Sequence, residues 1–293
     1  MRSAIKIAVD SLKENTANAE IAFFGGSFTA IDREYMIALL DAAYPYTDRF
    51  KGIRISTRPD CIDEEVLSLL KNYRVTSIEL GAQSMSDEVL LSNERGHTAD
   101  DVRIASRLIR DYSFELGLQM MTGLYRSDDM LDMMTAEEFI QLDPSTVRIY
   151  PTVVMKNTRL ALLYERGAYA PQTLDQAIDL CASLIERFTD CGIRVIRVGL
   201  HDSETLRRDM ITGPFHPAFR ELCESRMMYK ILLEKLQQSG KHRAFVAVSP
   251  RFVSKAIGHK QENLRKLRSL SYDITIVPDP SLDDFQVTVK DEG

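Results

Sequence analysis

The strongest constraint in this chain is its alternation. Short β-rich runs at 21–24, 53–56, 77–80, 116–121, 147–150 and 195–198 are separated by amphipathic stretches at 32–43, 63–71, 99–111 and 174–189. A strand–helix–strand rhythm implies parallel βαβ units with right-handed crossovers. Asp32, Asp63 and Thr98 stand before helical runs with acidic first turns, the pattern of an N-cap at the positive end of a helix dipole. Six strands are too few for a closed eight-stranded barrel. The expected architecture is therefore α/β, either an open partial barrel or a doubly wound sheet. Residues 1–18 read as one helix with no strand before it, so this helix has nothing to cross over from.

Composition narrows the class. The chain has 293 residues, 44% of them hydrophobic, enough to bury a substantial core. Its net charge of −6 excludes a global polycation built to coat nucleic acid but leaves room for a local basic patch. No apolar run reaches the ~20 residues of a membrane span, and no signal-peptide pattern opens the chain. Cys61, Cys181, Cys191 and Cys223 lie far apart, without zinc or disulfide spacing. These features read as a cytoplasmic protein.

The character changes after about Gly240. Lys241, Arg243, Arg251, Lys255, Lys260, Arg265, Lys266 and Arg268 face a single acid, Glu262, as far as residue 270. The pattern there is strand 244–248, helix 251–257, a tight connection at 258–261, helix 263–269 and strands at 273–277 and 284–289. A frayed tail is expected at 290–293. The division expected is a barrel with a helical extension over 1–240 and a small module over 241–293. His201 and His216, in the stretch between about 200 and 240, read as loop-structural or as lining the barrel mouth.

Ligands of parallel sheets bind beyond the carboxyl ends of the strands. The first strand is followed by Gly25-Gly26-Ser27-Phe28-Thr29, either a tight turn or a loop whose N–H groups receive a ligand. The second is followed by Ser56-Thr57-Arg58-Pro59-Asp60, and the third by Gly81-Ala82-Gln83-Ser84 and Asn93-Glu94-Arg95-Gly96-His97-Thr98. Gln119-Met120-Met121-Thr122-Gly123 ends the fourth, and Tyr150-Pro151-Thr152 the fifth. Arg58 alone could cap a helix, and Met120 and Met121 alone could be core. Five successive polar or glycine-bearing strand ends point to one shared small-molecule site. It has no Ser/His/Asp order, HExxH or P-loop. Amides, hydroxyls, Gly N–H groups and an arginine suit a polar zwitterion, with a cofactor supplying the chemistry.

Taken in order, FGGSFT (24–29), ISTRPD (55–60), IELGAQS (78–84), NERGHT (93–98), LQMMTGL (118–124) and VRIYPTVVMKNTRL (147–160) resemble the radical S-adenosylmethionine superfamily. The resemblance spans residues 21 to about 200. It is greatest to the branch of elongator-type catalytic subunits and oxygen-independent coproporphyrinogen oxidases. It implies a partial (β/α)6 barrel that binds S-adenosylmethionine. Gly25, Gly26 and Ser27 match the motif receiving the methionyl amine, Gln83 a ribose ligand, and Arg95 a carboxylate ligand. Gln119 stands at a polar ribose position, Ser56 replaces a glutamate contact, and Met121 and Tyr150 would lie near the adenine. The family's [4Fe-4S] cluster needs a CxxxCxxC trio after the first strand, and no close trio exists here. That departure reads as an N-terminally shortened form without the first βα element, lacking catalysis but retaining weak ligand binding, or as a non-catalytic descendant. The intact form would also require an electron donor.

The terminal module resembles a KH domain. I-G-H-K-Q-E-N-L (257–264) sits where those domains place I-G-x-x-G, implying RNA contact through Gly258, His259 and Lys260. Gln261 in place of the second glycine departs from the pattern, and a docking module with a solvated basic face is the alternative. The functions expected are modification of RNA, plausibly tRNA, by the intact form, with two rivals: a small-molecule substrate, or a non-enzymatic RNA-binding scaffold.

Overall fold

The computed structural model describes residues 2–290. Among these, the chain forms α1 (Arg2–Leu12), β1 (Glu20–Phe23), α2 (Arg33–Ala43), β2 (Gly52–Thr57), α3 (Glu64–Asn72), β3 (Val75–Gln83), α4 (Asp87–Ser92), α5 (Ala99–Asp111), β4 (Glu115–Thr122), α6 (Asp129–Leu142) and β5 (Thr146–Pro151). Then come β6 (Val154–Met155), α7 (Arg159–Glu165), α8 (Leu174–Asp190), β7 (Arg194–Val198), α9 (Glu204–Asp209), β8 (Met210–Thr212) and α10 (Phe219–Ser239). The last elements are β9 (Arg243–Val248), α11 (Val253–Ile257), α12 (Glu262–Ser269), β10 (Asp273–Pro278) and β11 (Val287–Lys290). The chain divides into two compact units, residues 1–152 with 188–197, and residues 153–187 with 198–293.

In the first unit the six expected strands form one sheet in the order β1-β2-β3-β4-β5-β7, an open parallel half-barrel. The expected caps are present. Asp32, Asp63 and Thr98 accept from the N–H groups of Tyr35, Val66 and Asp101, and Thr98 with Asp101 completes a capping box. The single helix expected over 1–18 instead ends at Leu12 and continues as a 3-10 turn, Lys13–Asn18.

The strands alternate between two environments. Ile53, Ile55, Ile78, Leu80, Leu116, Leu118, Met120, Val147 and Ile149 are buried, and α3, α5 and α6 pack on the sheet with Leu67, Leu70, Val102, Ile109 and Phe139 also buried. The intervening positions are Arg54, Ser56, Ser77, Glu79, Glu115, Gly117, Gln119 and Arg148, and they build a charged interior. Arg54 donates to Glu20 (2.7 Å), Glu79 (3.3 Å) and Glu115 (3.3 Å). Arg148 forks onto Glu79 at 2.8 and 2.9 Å, and Phe24 lies 4.7 Å beneath its guanidinium. Burial works against the charge of Arg54, and its hydrogen bond to Glu20 with the three surrounding carboxylates more than restores it.

Gly117 makes room for this network. It pairs with Glu79 on one side and Thr146 on the other, and a Cβ there would sit 2.8 Å from Glu79 Cγ and 2.9 Å from Thr146 Oγ1.

In the second unit, β6 and β8 form a two-stranded antiparallel ribbon. The terminal sheet has the order β10-β9-β11, with β10 parallel and β11 antiparallel to β9. Its core joins Val246, Val248, Phe252, Ala256, Leu267 and Ile274 to Met228, Leu232 and Leu236 of α10. This long helix occupies the stretch expected as a helical extension, where only His201 and His216 were read as loop-structural or mouth-lining. The helix expected over 251–257 is a 3-10 turn followed by α11, and the strand expected over 284–289 narrows to β11. Of the expected tail, Lys290 closes β11 and 291–293 lie outside the described residues.

Gly117→Ala should cost about 1–3 kcal/mol by overpacking against Glu79 and lower the thermal midpoint by several degrees. An unchanged melt would show that Glu79 can move aside.

Candidate functional site

A cavity of about 350 Å³ lies at the carboxyl ends of β2, β3 and β4, lined by Gly26, Ser27, Ser56, Thr57, Arg58, Gly81, Gln83, Glu94, Arg95, His97 and Gln119. The loops reach it because their ends are tied together. Thr29 after β1 bonds to Thr57 Oγ1 and donates to the Cys61 carbonyl. Gln83 adopts φ 67°, in the left-handed region, at an irregularity between Leu80 and Gln83 where β3 leaves its register with β4. Such a non-glycine conformation costs on the order of 1 kcal/mol and needs support. The Ala82 carbonyl provides it, accepting from Ser84 N–H (2.8 Å) and His97 Nε2–H (3.0 Å).

Of the residues expected at a ligand site, Gly26, Ser27, Ser56, Gln83, Arg95 and Gln119 line this cavity together. Gly25, Met121 and Tyr150 are not among its lining residues. Met121 touches it indirectly, its sulfur accepting from Arg95 Nη2 at 2.6 Å, and Tyr150 acts on Arg148 in the interior network. Gln119 Nε2 donates to Glu79 (2.8 Å) and Ser56 Oγ (3.4 Å). Its Nε2 is thereby engaged and its Oε1 remains an acceptor. Thr57, Arg58, Gly81, Glu94 and His97 also line the wall. Their motifs were visible in the sequence, but their individual orientation was not.

The two arginines on the wall differ in kind. Arg58 holds Asp60 in a fork at 2.8 and 2.6 Å and also donates to the Gly96 carbonyl. That hydrogen bond raises the Arg58 pKa and holds the Asp60 carboxyl below its usual range. Arg95 has no such partner: burial alone lowers its pKa. Its Nε is buried without a hydrogen bond, and its Nη2 donates to the Met121 thioether, a weak acceptor. A half-buried guanidinium without a counter-ion is costly, and a carboxylate ligand would remove that cost. The donor and acceptor set therefore fits the amino-acid and ribose ends of S-adenosylmethionine.

An iron–sulfur cluster does not fit these residues. Clusters require several thiolates, and each compact unit holds only two cysteines, Cys61 and Cys191 in one, Cys181 and Cys223 in the other. Burial and the adjacent Asp60 raise the Cys61 thiol, and a Cys181 contact together with burial raises Cys223, so both thiolates are disfavoured. Among the described residues no trio of His, Cys, Asp or Glu is placed to hold a metal. No described helix is long and apolar enough to cross a membrane.

Asp132 of α6, fully buried, organises the turn after β4 by accepting from Gly123 N–H (2.8 Å) and Ser127 Oγ–H (2.6 Å). Burial pushes its pKa up to about 6, above the usual carboxylate range. Ionisation is then harder in the folded state, so stability should fall as pH rises from about 4 to about 6 and level off above. Urea unfolding should show the protein losing about 1–3 kcal/mol relative to Asp132→Asn between pH 4 and 7. Parallel curves would mean that this carboxylate is solvated.

Residues 3–136 match the Radical SAM superfamily, and residues 144–229 match the Radical SAM C-terminal domain. The tRNA uridine(34) acetyltransferase of Methanocaldococcus jannaschii is 28% identical over 187 residues, 56% of this chain and 35% of that protein. Elongator complex protein 3 of Dictyostelium discoideum is 28% identical over 245 residues, 75% of this chain and 43% of that protein. The chain thus spans less than half the length of these relatives. The solved structure of archaeal Methanocaldococcus infernus Elp3 with an N-terminal deletion shares the fold, with a TM-score of 0.66 at 21% identity, covering 82% of this chain and 58% of that one. Two consecutive superfamily domains on an open parallel half-barrel make this chain a member of the radical SAM superfamily.

Proposed function

We propose that the half-barrel binds S-adenosylmethionine and belongs to a protein of tRNA modification. The observation carrying the ligand assignment is Arg95, a half-buried cation on the cavity wall without an anionic partner. When bound, the ligand supplies an activated sulfonium centre. The residues of this chain bind and orient it: Arg95 takes the carboxylate, Gly26 leaves space for the ligand chain, and Gln83 and Gln119 meet hydroxyl groups. Because these residues do not fit a cluster, the behaviour expected of them is binding without reductive cleavage.

The tRNA assignment rests on what the relatives' names state and on the expected role of the Gly258–Gln261 turn. Gly258 has φ 83°, and a Cβ there would meet Asn263 N at 2.8 Å. Asn263 is buried and ties α12 to α10 and α11 through the Ser225 and Lys255 carbonyls. Lys260 and Gln261 continue the turn with left-handed φ values of 48° and 62°, leaving the Lys260 side chain exposed. One observation favours a second reading, a protein-docking module. Much of the basic stretch is ion-paired: Lys255 with Glu224, Lys266 with Glu262, Arg251 with Asp284, and Arg243 and Arg268 with Asp273. Paired charges release few counterions on binding RNA.

Gly26 offers a clean test, because nothing lies within 4 Å of an added Cβ. Gly26→Val should melt like the wild type yet lose S-adenosylmethionine affinity at least tenfold in calorimetry, since its side chain occupies ligand space. Equal affinity would show that this loop is only a turn. Lys260→Glu should weaken tRNA retention on filters and reduce its salt dependence, with S-adenosylmethionine affinity intact. Retention identical to the wild type would favour the docking module.

A further inference from the structure

The terminal sheet has an open edge. Its order is β10-β9-β11, so β10 bonds to β9 on one side and to no described strand on the other. The ladder fixes which backbone groups face outward. Asp273 pairs with Arg243, and its N–H donates to the His242 carbonyl; at the far end the Asp279 N–H donates to the Val248 carbonyl. In a parallel ladder alternate residues bond to the same neighbour. Asp273, Thr275 and Val277 therefore turn their backbone groups to β9, and Ile274 and Ile276 turn theirs away. Among the described residues nothing meets the N–H or the C=O of Ile274 or Ile276.

Natural edge strands are guarded by a lysine, an inward charge, a proline or a bulge. The middle of β10 has none of these: Ile274-Thr275-Ile276-Val277 is uncharged, and its pairing with β9 runs without a register shift. The limits lie at its ends. The Tyr272 N–H is already given to the Leu267 carbonyl at 3.0 Å, and Pro278 has no N–H to give. The open segment is bounded by Ile274 and Ile276 and centred on Thr275.

That symmetry selects the partner. Let β10 run antiparallel to β10 of a second copy, with the two Thr275 residues opposite each other. Ile274 of each copy then faces Ile276 of the other, and every outward N–H and C=O of these residues is paired. Centring the pair on Ile274 or on Ile276 instead places Tyr272 or Pro278 opposite an isoleucine, and its carbonyl gains no donor. The side chains agree with the Thr275 register. Thr275 is exposed on the face away from the helices, and Thr opposite Thr is a favourable cross-strand pair. On the other face Ile276, partly buried, falls beside Ile274, which is 5% exposed. Asp273, the one charged residue of the strand, falls opposite Val277. The two Asp273 carboxylates are about 13 Å apart along the strands at about 3.3 Å per residue, each beside its own Arg243 and Arg268.

We infer that β10 is a self-association edge, through which two copies of this chain pair antiparallel about Thr275 into one continuous sheet. The same edge is used in both copies, so the assembly closes as a twofold dimer and does not propagate. This goes beyond the ligand and RNA readings, and it depends on neither.

Sedimentation of the full chain tests it. The wild type should approach twice its mass of 33.3 kDa as concentration rises. Thr275→Lys and Thr275→Glu leave an exposed side chain in the monomer but set like charges face to face in the dimer. Each alone should weaken dimerisation about tenfold or more, with the circular dichroism of the wild type. An equimolar mixture of the two should recover the doubled mass, because opposite charges then meet. Thr288→Lys, an exposed position on β11, should sediment as the wild type does. A wild type that stays at the single-chain mass at every concentration overturns the inference and leaves the edge to a foreign strand. Single variants at Thr275 that dimerise like the wild type place the contact elsewhere and also overturn it. If both singles dissociate and their mixture does not recover, Thr275 does not face Thr275 and the proposed pairing fails.

Discussion

Glu79 is the residue around which the first unit is arranged. It is 1% exposed and is held between Arg54 and Arg148, with Gln119 donating to the same carboxylate. A buried carboxylate is tolerable only when its hydrogen-bonding capacity is filled and its charge opposed. Meeting both requirements demands that β2, β3, β4 and β5 keep one register, because a one-residue slip would carry each of these side chains to the helix-covered face. Gly117 is part of the same constraint, since any side chain at that position would crowd Glu79.

The network also connects the interior to the cavity. Gln119 and Ser56 belong to both: Gln119 donates to Glu79 and to Ser56 below, and the two residues line the wall above. The upper layer has the opposite electrostatic character. Arg54, Arg58 and Arg148 are all matched by carboxylates, whereas Arg95 and His97 carry buried nitrogens without partners. A buried cation without a counter-ion on a cavity wall is a group that a carboxylate ligand would complement. The cysteines do not supply an equivalent complement for a cluster. Two are core residues in contact with each other, and the remaining two lie in a different unit.

Much of the fold was legible. The strands begin and end within about three residues of the expected positions, and Asp32, Asp63 and Thr98 cap the helices they precede. Those signals are local: a cap depends on the next three residues, and a strand on its own run of side chains. Less was legible where neighbours decide. A helical extension was expected before residue 240, but not the bounds of the 21-residue α10 nor that its buried Met228, Leu232 and Leu236 find their partners on β9, α11, α12 and β10. The basic stretch after residue 240 looked nearly unopposed in sequence. Asp273 and Asp284 lie just beyond it, and Glu224 lies outside it on α10. The charged interior carried a visible signal, Arg54, Glu79 and Arg148 within otherwise apolar strands, but strands expected to be covered on both faces conceal that alternation.

The amino-acid sequence alone determined the six strands of the parallel sheet, the caps and the set of loops that could meet a ligand, because parallel βαβ connectivity sends every strand's carboxyl end to one side. Only the tertiary structure decided what those loops offer. Arg58 and Arg95 are the same residue type on neighbouring loops, yet one is neutralised by Asp60 and the other is not. The state of the His97 ring likewise depends on a carbonyl fifteen residues away. Such differences arise from distances of a few ångströms between segments remote in sequence, which residue identity and spacing do not encode.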